Sequence, residues 1–396
     1  MSHTPRRLRV AILGDRGIPA RYGGYSTFLE EVTVRLVADY DFDVVVYCRS
    51  QYYPERGPTF KGVRLVYIPV LRSKHLESLL HTAMSTIHCL FQGFDAALLI
   101  DPGNAPNLPL LRLFGPPTAL HADGLGFKRK KWGTLASAYY KFSERMSSWF
   151  ANVVIADALG MREHYRRNYG RDTTFVPYGC ESGGYGPPEC LARFNITPGE
   201  YYLIVTRIEP DNNTDLLIRE YRKLNTSRPL IIVGGARFPS KFSRQIEAEA
   251  DEKVRVVGGV YEPEVLNALY RYSFAYLHGH EVGGTNPALL RAMAAGTCCV
   301  ALETVFSREV MGAEGCLVGF EAGSMSKMLT MLEAEPERAR AYGAAMQERA
   351  SKEYRWDAVT AAYAEVFRAM SEKRKPGEVY RPEDYASRTP RPTVAD

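Results

Sequence analysis

Short runs of consecutive apolar residues alternate along the chain with longer segments in which apolar residues recur at helical spacing. The runs read RVAILG, DVVVYC, VRLVYI, AALLI, TALHA and VVIA in the first part, and YYLIVTRI, PLIIVGG, VRVVGG, FAYLHG, TCCVAL and GCLVGF in the second. Strands that are apolar throughout are typical of parallel sheets with helices on both faces. Helical spacing occurs at 24–38, 77–91, 134–150 and 356–373. The pattern predicts an α/β fold built on parallel sheets.

The alternation is interrupted at ESGGYGPPECLA (residues 181–192), where glycine and proline indicate a linker. We therefore predict two tandem Rossmann-like, doubly wound domains at 1–185 and 186–355. The helix at 356–373 is predicted to pack back toward the N-terminal domain. Residues 374–396 are rich in proline and charge and poor in aliphatic side chains, which predicts a disordered tail.

Composition excludes several classes of protein. No run approaches the ~18 apolar residues of a membrane span, and the first apolar run is too short for a signal peptide, so we expect a cytoplasmic protein. The seven cysteines include no CxxC pair and are expected to be reduced. Residues 1–185 hold 23 Lys and Arg against 16 Asp and Glu, whereas the remainder holds 27 against 29. The basic first half indicates an anionic surface or ligand, but no nucleic-acid-binding motif is present.

The stretch HGHEVGGTNPALLRAMAAG (278–296) runs from a strand through a glycine turn into a helix. Asn286 is a candidate N-cap, and Pro287 suits the first helical position. Gly283 and Gly284 would let a ligand approach the backbone, and the N–H groups of the helix start could bind an anion such as a diphosphate. An ordinary strand-to-helix turn is the alternative interpretation.

Two further stretches also join a strand to a helix. LGDRGIPARYGGYSTF (13–28) contains four glycines but matches neither GxGxxG nor GxxxxGK[ST], which disfavours an ordinary NAD or ATP site. In VTRIEPDNNTDLLI (205–218), Arg207 ends a strand and Asn213 lies near the next helix start. Arginine suits bidentate contact with phosphate, although an arginine at a strand end is often only a surface charge.

Four motifs together carry a family resemblance: LGDRGIPARYGGYSTFLEE, HADGLGFKRKKWG, TRIEPDNN and YLHGHEVGGTNPALLRAMAAG. The chain resembles bacterial glycosyltransferase family 4, in the subgroup labelled domain of unknown function 1972, over residues from about 8 to 372. Known members of that subgroup include rhamnosyltransferases. The resemblance implies the GT-B fold, in which an N-terminal acceptor-side domain and a C-terminal nucleotide-sugar-binding domain face a cleft. It also implies a retaining transfer from a dTDP-, UDP- or GDP-sugar without an obligatory metal.

The resemblance assigns roles to individual residues. Donor-binding roles fall on Gly23, Gly24, Arg207, Asn213, Gly259, Val260, Gly283, Gly284, Thr285, Asn286 and Arg291. His121 and Asp123 match residues near the transferred sugar and are the candidate catalytic residues, with Asp123 the best side chain for a base. His121 also fits a buried structural histidine. His278 and His280 form an HxH pair without a third ligand, which is weak evidence for a metal site.

Three positions depart from the family pattern. Arg291, Ser26 and Gly126 stand where the subgroup usually has glutamate. The glutamate replaced by Arg291 normally accepts hydrogen bonds from the nucleotide ribose, whereas an arginine side chain can only donate them. Loss of a charged hydrogen bond costs about 1.5–3 kcal/mol. A degenerate, non-catalytic homologue that binds a nucleotide sugar or a partner transferase is therefore the alternative function.

A basic and aromatic stretch suggests where the acceptor lies. The stretch FKRKKWG contains Lys128, Arg129, Lys130, Lys131 and Trp132, a composition that suits an anionic membrane surface. We expect a polyprenyl-linked or glycan acceptor and a peripheral location at the inner face of the plasma membrane. A solvated protein surface is the alternative for this stretch.

Overall fold

A computed structural model describes residues 6–20, 24–71, 73, 76–130, 133–236 and 239–385. The chain separates into two compact units. The first contains the described residues of Met1–Lys128, Trp132–Tyr178 and Trp356–Tyr385, and the second those of Arg129–Lys131 and Gly179–Arg355. Each unit holds one sheet covered by helices, which confirms the prediction of two tandem Rossmann-like domains. The segment 181–192, interpreted as a linker, lies within the second unit.

The sheet of the first unit has eight strands. They are β1 (Leu8–Leu13), β2 (Phe42–Arg49), β3 (Thr59–Phe60), β4 (Val63–Ile68), β5 (Ala96–Ile100), β6 (Thr118–Ala122), β7 (Val153–Ala156) and β8 (Thr174–Phe175). Their order is β3-β4-β2-β1-β5-β6-β7-β8, and neighbouring strands are parallel except β3 and β4. The central strands are almost fully buried, as their apolar sequences predict.

Five helices of this unit precede the second unit in the chain. They are α1 (Gly24–Asp39), α2 (Glu77–Leu90), α3 (Leu108–Phe114), α4 (Thr134–Phe150) and α5 (Leu159–Tyr169). The connection from β1 to β2 moves along the sheet in one direction, whereas those from β4 through β7 move in the other. Right-handed crossovers therefore put α1 on one face and α2, α3 and α4 on the opposite face. In agreement, α2 packs on α3 and α3 packs on α4.

The second unit repeats the architecture with a fully parallel sheet of order β11-β10-β9-β12-β13-β14. Its strands are β9 (Tyr202–Val205), β10 (Leu230–Val233), β11 (Val254–Gly258), β12 (Ala275–His278), β13 (Cys298–Leu302) and β14 (Cys316–Val318). Its helices are α6 (Thr214–Tyr221), α7 (Lys241–Ala248), α8 (Pro263–Arg271), α9 (Pro287–Ala294), α10 (Val305–Met311), α11 (Ser324–Ala334) and α12 (Pro336–Glu353).

The chain then returns to the first unit. Helix α13 (Trp356–Ser371) packs on α1 and buries an apolar face that includes Val359, Tyr363 and Phe367. Residues 374–385 belong to this unit, and the ring centroid of Tyr380 lies 5.8 Å from that of Phe175. Most of these residues are exposed, and disorder of the tail stays a prediction. Residues 386–396 lie outside the described residues.

All seven cysteines are free thiols, as expected, and five of them are buried. None of the helices that the structure describes is both long enough and apolar enough to cross a membrane.

Candidate functional site

The turn between β12 and α9 follows the sequence prediction closely. Asn286 is the N-cap of α9, and its side-chain oxygen accepts hydrogen bonds from the N–H groups of Ala288 at 2.9 Å and Leu289 at 3.4 Å. Pro287 occupies the first helical position. The helix start is therefore capped by the chain itself, and these two N–H groups are not available to an anion as the sequence had suggested. An anion would instead meet the backbone of the turn before Asn286.

This turn borders a cleft that encloses about 240 Å³, part of it open solvent. The cleft is lined by His278, His280, Gly283, Gly284, Asn286, Leu289, Phe306, Ser307 and Val310. A Cβ atom added to Gly283 would meet nothing within 4 Å, so this glycine keeps the space beside the backbone open. Gly283 thus leaves the backbone of the turn uncovered on one side, and binding of a diphosphate here stays a prediction.

The two histidines of the cleft stack on each other, with ring centroids 4.5 Å apart. Burial lowers the pKa of His278 to about 3. Burial also lowers the pKa of His280, and the charges of Arg207 and Arg129 lower it further. Both imidazoles are therefore neutral near pH 7, and they can hydrogen-bond without adding charge to the cleft. Among the described residues, no group of three or more His, Cys, Asp or Glu side chains is arranged to hold a metal ion.

Arg207 lies just beyond the end of β9, with its backbone fixed and its side chain exposed. Its carbonyl oxygen accepts hydrogen bonds from the side chains of Asn212 at 2.7 Å and Thr206 at 3.0 Å. In the described part of the chain its guanidinium forms no ion pair. A fixed backbone with a side chain of this kind suits recognition of an anionic ligand.

Asn213 connects the ends of two strands of the second unit. It adopts a left-handed conformation (φ 50°), and its side-chain nitrogen donates to the Gly279 carbonyl at 2.9 Å and to Glu281 at 3.4 Å. A Cβ atom on Gly279 would lie 2.4 Å from the Asn212 carbonyl oxygen, so the two turns pack backbone to backbone. Asn213 therefore positions the turn after β12, and its contact with a donor stays a prediction.

The end of β11, predicted to contact a nucleotide base, is a tight turn. Gly258 has a φ of 75°, and the Val260 side chain is buried. A Cβ atom on Gly259 would lie 2.5 Å from the Tyr261 hydroxyl, so no larger residue fits at 259 while the tyrosine stays in place. The Tyr261 side chain is exposed beside this turn, and base binding stays a prediction.

The basic stretch that was assigned to a membrane is partly engaged within the second unit. Arg129 pairs with Glu209 at 3.8 Å, and Lys130 pairs with Glu281 at 2.7 Å. The Lys130 backbone N–H also donates to an Asp211 oxygen at 2.5 Å. These partners offset the charge of Arg129 and Lys130, so the two residues do not form an unpaired basic surface. Lys128 is exposed. Lys131 and Trp132 lie outside the described residues.

Arg291 does not pair with Glu281, the partner that its position in the turn suggests. Its positive charge lowers the pKa of the Cys180 thiol and of the Tyr270 hydroxyl, against the larger effect of burial. Burial raises the pKa of Cys180 to about 12, and the charge of Arg291 acts in the opposite direction. Side chains of Ser182 and Tyr185 also bond to the end of α9, at the Ala294 carbonyl. Arg291 thus lies beside the segment that enters the second unit.

In the first unit, His121 lies inside a cluster of aromatic side chains. The imidazole is fully buried, and its Nδ1 lies 2.6 Å from the Tyr363 hydroxyl. Tyr178 stacks on it at 5.5 Å, and Phe28 packs at 5.0 Å. Burial lowers its pKa to about 4, so the ring is neutral near pH 7. The surroundings favour the structural interpretation of His121, and a catalytic role stays a prediction.

Asp123 follows the same strand and is half-buried. Its carboxylate accepts a hydrogen bond from the Tyr178 hydroxyl at 3.4 Å. Burial raises the pKa of Tyr178 and of Tyr25, and the charge of Asp123 raises both further. These phenols therefore stay protonated and can donate to Asp123. An acid at this strand end has the position expected of a candidate base, but its role stays a prediction.

Two of the departures from the family pattern have local structural explanations. Ser26 is buried, and its hydroxyl donates to Asp15 at 2.8 Å. A glutamate at 26 would put a second carboxylate against Asp15. A Cβ atom on Gly126 would lie 2.8 Å from the Tyr140 ring, so that ring occupies the space of a side chain at 126. No motif in the sequence indicates Asp15 or Tyr140 as a partner of these positions. Gly24 begins α1, and Gly23 lies outside the described residues.

Comparison with known proteins covers most of these positions. Residues 199–333 match the family described as glycosyl transferases group 1, and residues 114–181 match a domain of unknown function, DUF1972. The first match includes Arg207 and the 283–291 turn, and the second includes His121 and Asp123. Alpha-maltose-1-phosphate synthase of Mycolicibacterium smegmatis is 25% identical in an alignment of 409 positions, which covers 92% of this chain and 100% of the relative.

Solved structures resemble the chain along most of its length. Sucrose-phosphate synthase from Thermosynechococcus elongatus superposes with a TM-score of 0.81 at 18% identity, over 93% of this chain and all of that one. Anabaena Alr3699/HepE in complex with UDP-glucose gives a TM-score of 0.72 at 12% identity, over 93% of this chain and 99% of that one. At these identities the likeness establishes the fold alone, and it confirms the GT-B class.

Proposed function

Because the chain belongs to the group 1 glycosyl transferases that carry the domain of unknown function 1972, we propose that it moves a sugar from a nucleotide diphosphate to an acceptor hydroxyl with retention of configuration. The acceptor is lipid-linked or part of a growing polysaccharide, and the sugar is rhamnose-like. The transfer needs no metal ion in this proposal. The observation that carries it is the exposed Arg207 guanidinium, which sits on a fixed backbone at the carboxyl edge of the second sheet.

The second unit has the properties that a diphosphate requires. Arg207 supplies a positive charge with a planar set of donors, and Gly283 leaves the backbone of the neighbouring turn accessible. The buried imidazoles of His278 and His280 are neutral and can donate or accept a single hydrogen bond each. Positive charge at a fixed position is most useful where negative charge develops during the reaction, here on the leaving diphosphate.

The proposed step breaks the bond between the anomeric carbon and the diphosphate oxygen and forms a bond from that carbon to the acceptor oxygen. The acceptor hydroxyl loses its proton to the departing phosphate oxygen or to Asp123. Arg207 stabilises the leaving group in either case, so loss of Arg207 should reduce both donor affinity and turnover. Asp123 acts as the base only for an acceptor whose hydroxyl proton is out of reach of the phosphate oxygen.

The donor base and the acceptor are the open parts of the proposal. The HepE structure contains UDP-glucose, so UDP-sugars are tested first and dTDP- and GDP-sugars next. The test incubates the full chain with each nucleotide sugar and a polyprenyl-diphosphate-linked sugar. The readout is nucleoside diphosphate release together with the anomeric configuration of the product.

A degenerate homologue that only binds a nucleotide sugar is the second candidate, because Arg291, Ser26 and Gly126 replace acidic residues of the family. Two of these residues are fixed by local partners: Ser26 bonds to Asp15, and Gly126 accommodates Tyr140. Such accommodation favours a remodelled site over a decayed one. Turnover with any donor supports the transferase, whereas donor binding without hydrolysis or transfer to any acceptor would establish the degenerate homologue.

A further inference from the structure

Helix α2 covers a sheet, but it buries its polar side and exposes its apolar side to solvent. Its buried residues are almost all polar: Glu77, His81, Thr82, Ser85, Thr86 and Cys89. Its solvent side carries large apolar residues at helical spacing, each 44–81% exposed: Leu76, Leu80, Met84, Ile87 and Phe91. No charged side chain is exposed between positions 76 and 91. A helix on the surface of a globular protein ordinarily has the opposite arrangement.

Helix α4 has the same pattern, and α3 adds exposed apolar side chains although its own buried residues are leucines. The buried residues of α4 are Ser143, Glu144, Ser147 and Ser148. Its exposed side includes Leu135, Phe142 and Trp149, which are seven residues apart and 53–86% exposed. Leu113 and Phe114 of α3 are also exposed. Because α3 packs on both α2 and α4 on one face of the sheet, we call these exposed apolar side chains the apolar helix face.

Two residues on the polar inner side of α2, Glu77 and Thr82, have specific partners, whereas the side chains of His81, Ser85 and Thr86 have no hydrogen-bond partner among the described residues. Glu77 forms an ion pair with Arg49 at 2.8 Å, and both side chains are about 5% exposed. The Thr82 hydroxyl donates to Asn104 at 3.0 Å. Rotating α2 to bury its apolar side would break the ion pair and leave Arg49 buried without its partner, which is strongly unfavourable. The apolar helix face therefore stays on the outside of this unit and can be covered only by another partner.

The exposed charged side chains of α2, α3 and α4 are all cationic. Arg112, Lys141 and Arg145 are exposed on α3 and α4. The only acids within α2, α3 and α4 are Glu77 and Glu144, and both are buried. In a symmetric dimer through this face, the same patch would face itself and these cations would meet each other without exposed acids. An anionic lipid surface attracts them instead.

We propose that the apolar helix face inserts into an anionic lipid bilayer, with its leucine, isoleucine, methionine and aromatic side chains among the acyl chains and its cations at the headgroups. In-plane helices with apolar and aromatic residues on one side and basic residues nearby bind membranes in this way. The surface differs from the Lys128–Trp132 stretch, in which Arg129 and Lys130 pair with acids of the second unit.

The test is flotation of the full chain with phosphatidylcholine vesicles, with and without phosphatidylglycerol. The double variant Leu80→Gln/Ile87→Gln should weaken partitioning by about tenfold or more, since it removes two apolar side chains from the contact. The matched control is Val305→Gln/Phe320→Gln, which changes two exposed apolar residues of the second unit and should leave partitioning unchanged. An unchanged thermal melting temperature verifies the fold of each variant.

A second readout locates the contact. Brominated lipid should quench the fluorescence of the wild type more than that of Trp149→Phe, because Trp149 belongs to the apolar helix face. Equal partitioning of Leu80→Gln/Ile87→Gln and the wild type overturns the proposal. A second outcome also overturns the proposal: sedimentation velocity shows a wild-type dimer that the same variant dissociates, and the wild type does not bind vesicles. No sugar donor is present in either measurement, so the result is independent of the proposed transfer reaction.

Discussion

The two units share one architecture but differ at the carboxyl edge of the sheet and on the surface of the helices. In the second unit the edge is open: Arg207 is exposed, and Gly283 has empty space beside it. In the first unit the edge is filled by aromatic rings, which bury His121 and crowd Gly126. Twelve of the fifteen large exposed apolar side chains among the described residues belong to the first unit. The second unit is thus suited to a polar ligand, and the first unit to an apolar surface.

The largest effect is expected from a comparison of the two faces of the first sheet. Phe367 of α13 is fully buried, whereas Phe142 of α4 is 53% exposed. Phe367→Ala should lower the free energy of unfolding by about 3–5 kcal/mol, because it removes a core ring and leaves a cavity. Phe142→Ala, the matched control, should change it by no more than about 0.5 kcal/mol. Urea denaturation measures both free energies of unfolding. Similar decreases for the two variants would show that the exposed side of α4 packs against protein, contrary to the structure.

Acid should destabilise both units through their buried histidines. The pKa of His121 in the first unit is lowered from 6.5 to about 4, and that of His278 in the second to about 3, in each case by burial. The unfolded chain therefore binds more protons between pH 6.5 and 4, and stability falls as the pH falls through that range. His121 alone contributes up to about 3 kcal/mol.

The pH dependence is measured by urea denaturation at a series of pH values. The variant His121→Gln removes one titrating group, so its stability should fall less steeply between pH 6.5 and 4 than that of the wild type. His88→Gln, at a half-buried histidine of the same unit whose partner is the Tyr47 hydroxyl, is the control. An identical slope for His121→Gln and the wild type would contradict the burial of a neutral imidazole at 121.

Two glycines test the contrast between the filled and the open edge. Gly126→Ala should destabilise the chain by about 1–3 kcal/mol, because the new methyl group meets the Tyr140 ring. The loss should shrink in a Tyr140→Ala background, where the ring is absent. Gly283→Ala should leave stability within about 0.5 kcal/mol but weaken donor binding, since its methyl group enters the cleft. Equal destabilisation by the two substitutions would remove the distinction between the edges.

The sequence predicted twelve of the fourteen strands that the structure describes, because continuous apolar runs specify buried parallel strands. The two-residue strands β3 and β8 contain no such run and were not predicted. The run at 118–122 coincides with β6, and Asn286 and Pro287 were correctly placed at the start of α9. These features depend on neighbours in the chain, which the sequence displays directly.

Contacts between distant positions were not predictable in this way. Lys130 and Glu281 are 151 positions apart, and nothing in the basic stretch indicates that an acid of another segment neutralises it. Which side of α2 is buried could not be predicted for a different reason. Periodicity identifies an apolar side and a polar side of a helix but does not say which side meets the sheet, and here the buried pair of Arg49 and Glu77 decides it.

The central claim is that the open edge of the second unit binds the diphosphate of a nucleotide sugar through Arg207. Calorimetric titration with UDP- and dTDP-sugars tests it most directly. Arg207→Ala should lower the affinity by about 10–150-fold, the equivalent of one charged hydrogen bond. Arg219→Ala, which removes an exposed arginine of α6 in the same unit, should leave the affinity unchanged. Equal affinity of Arg207→Ala and the wild type for the donor would contradict the account.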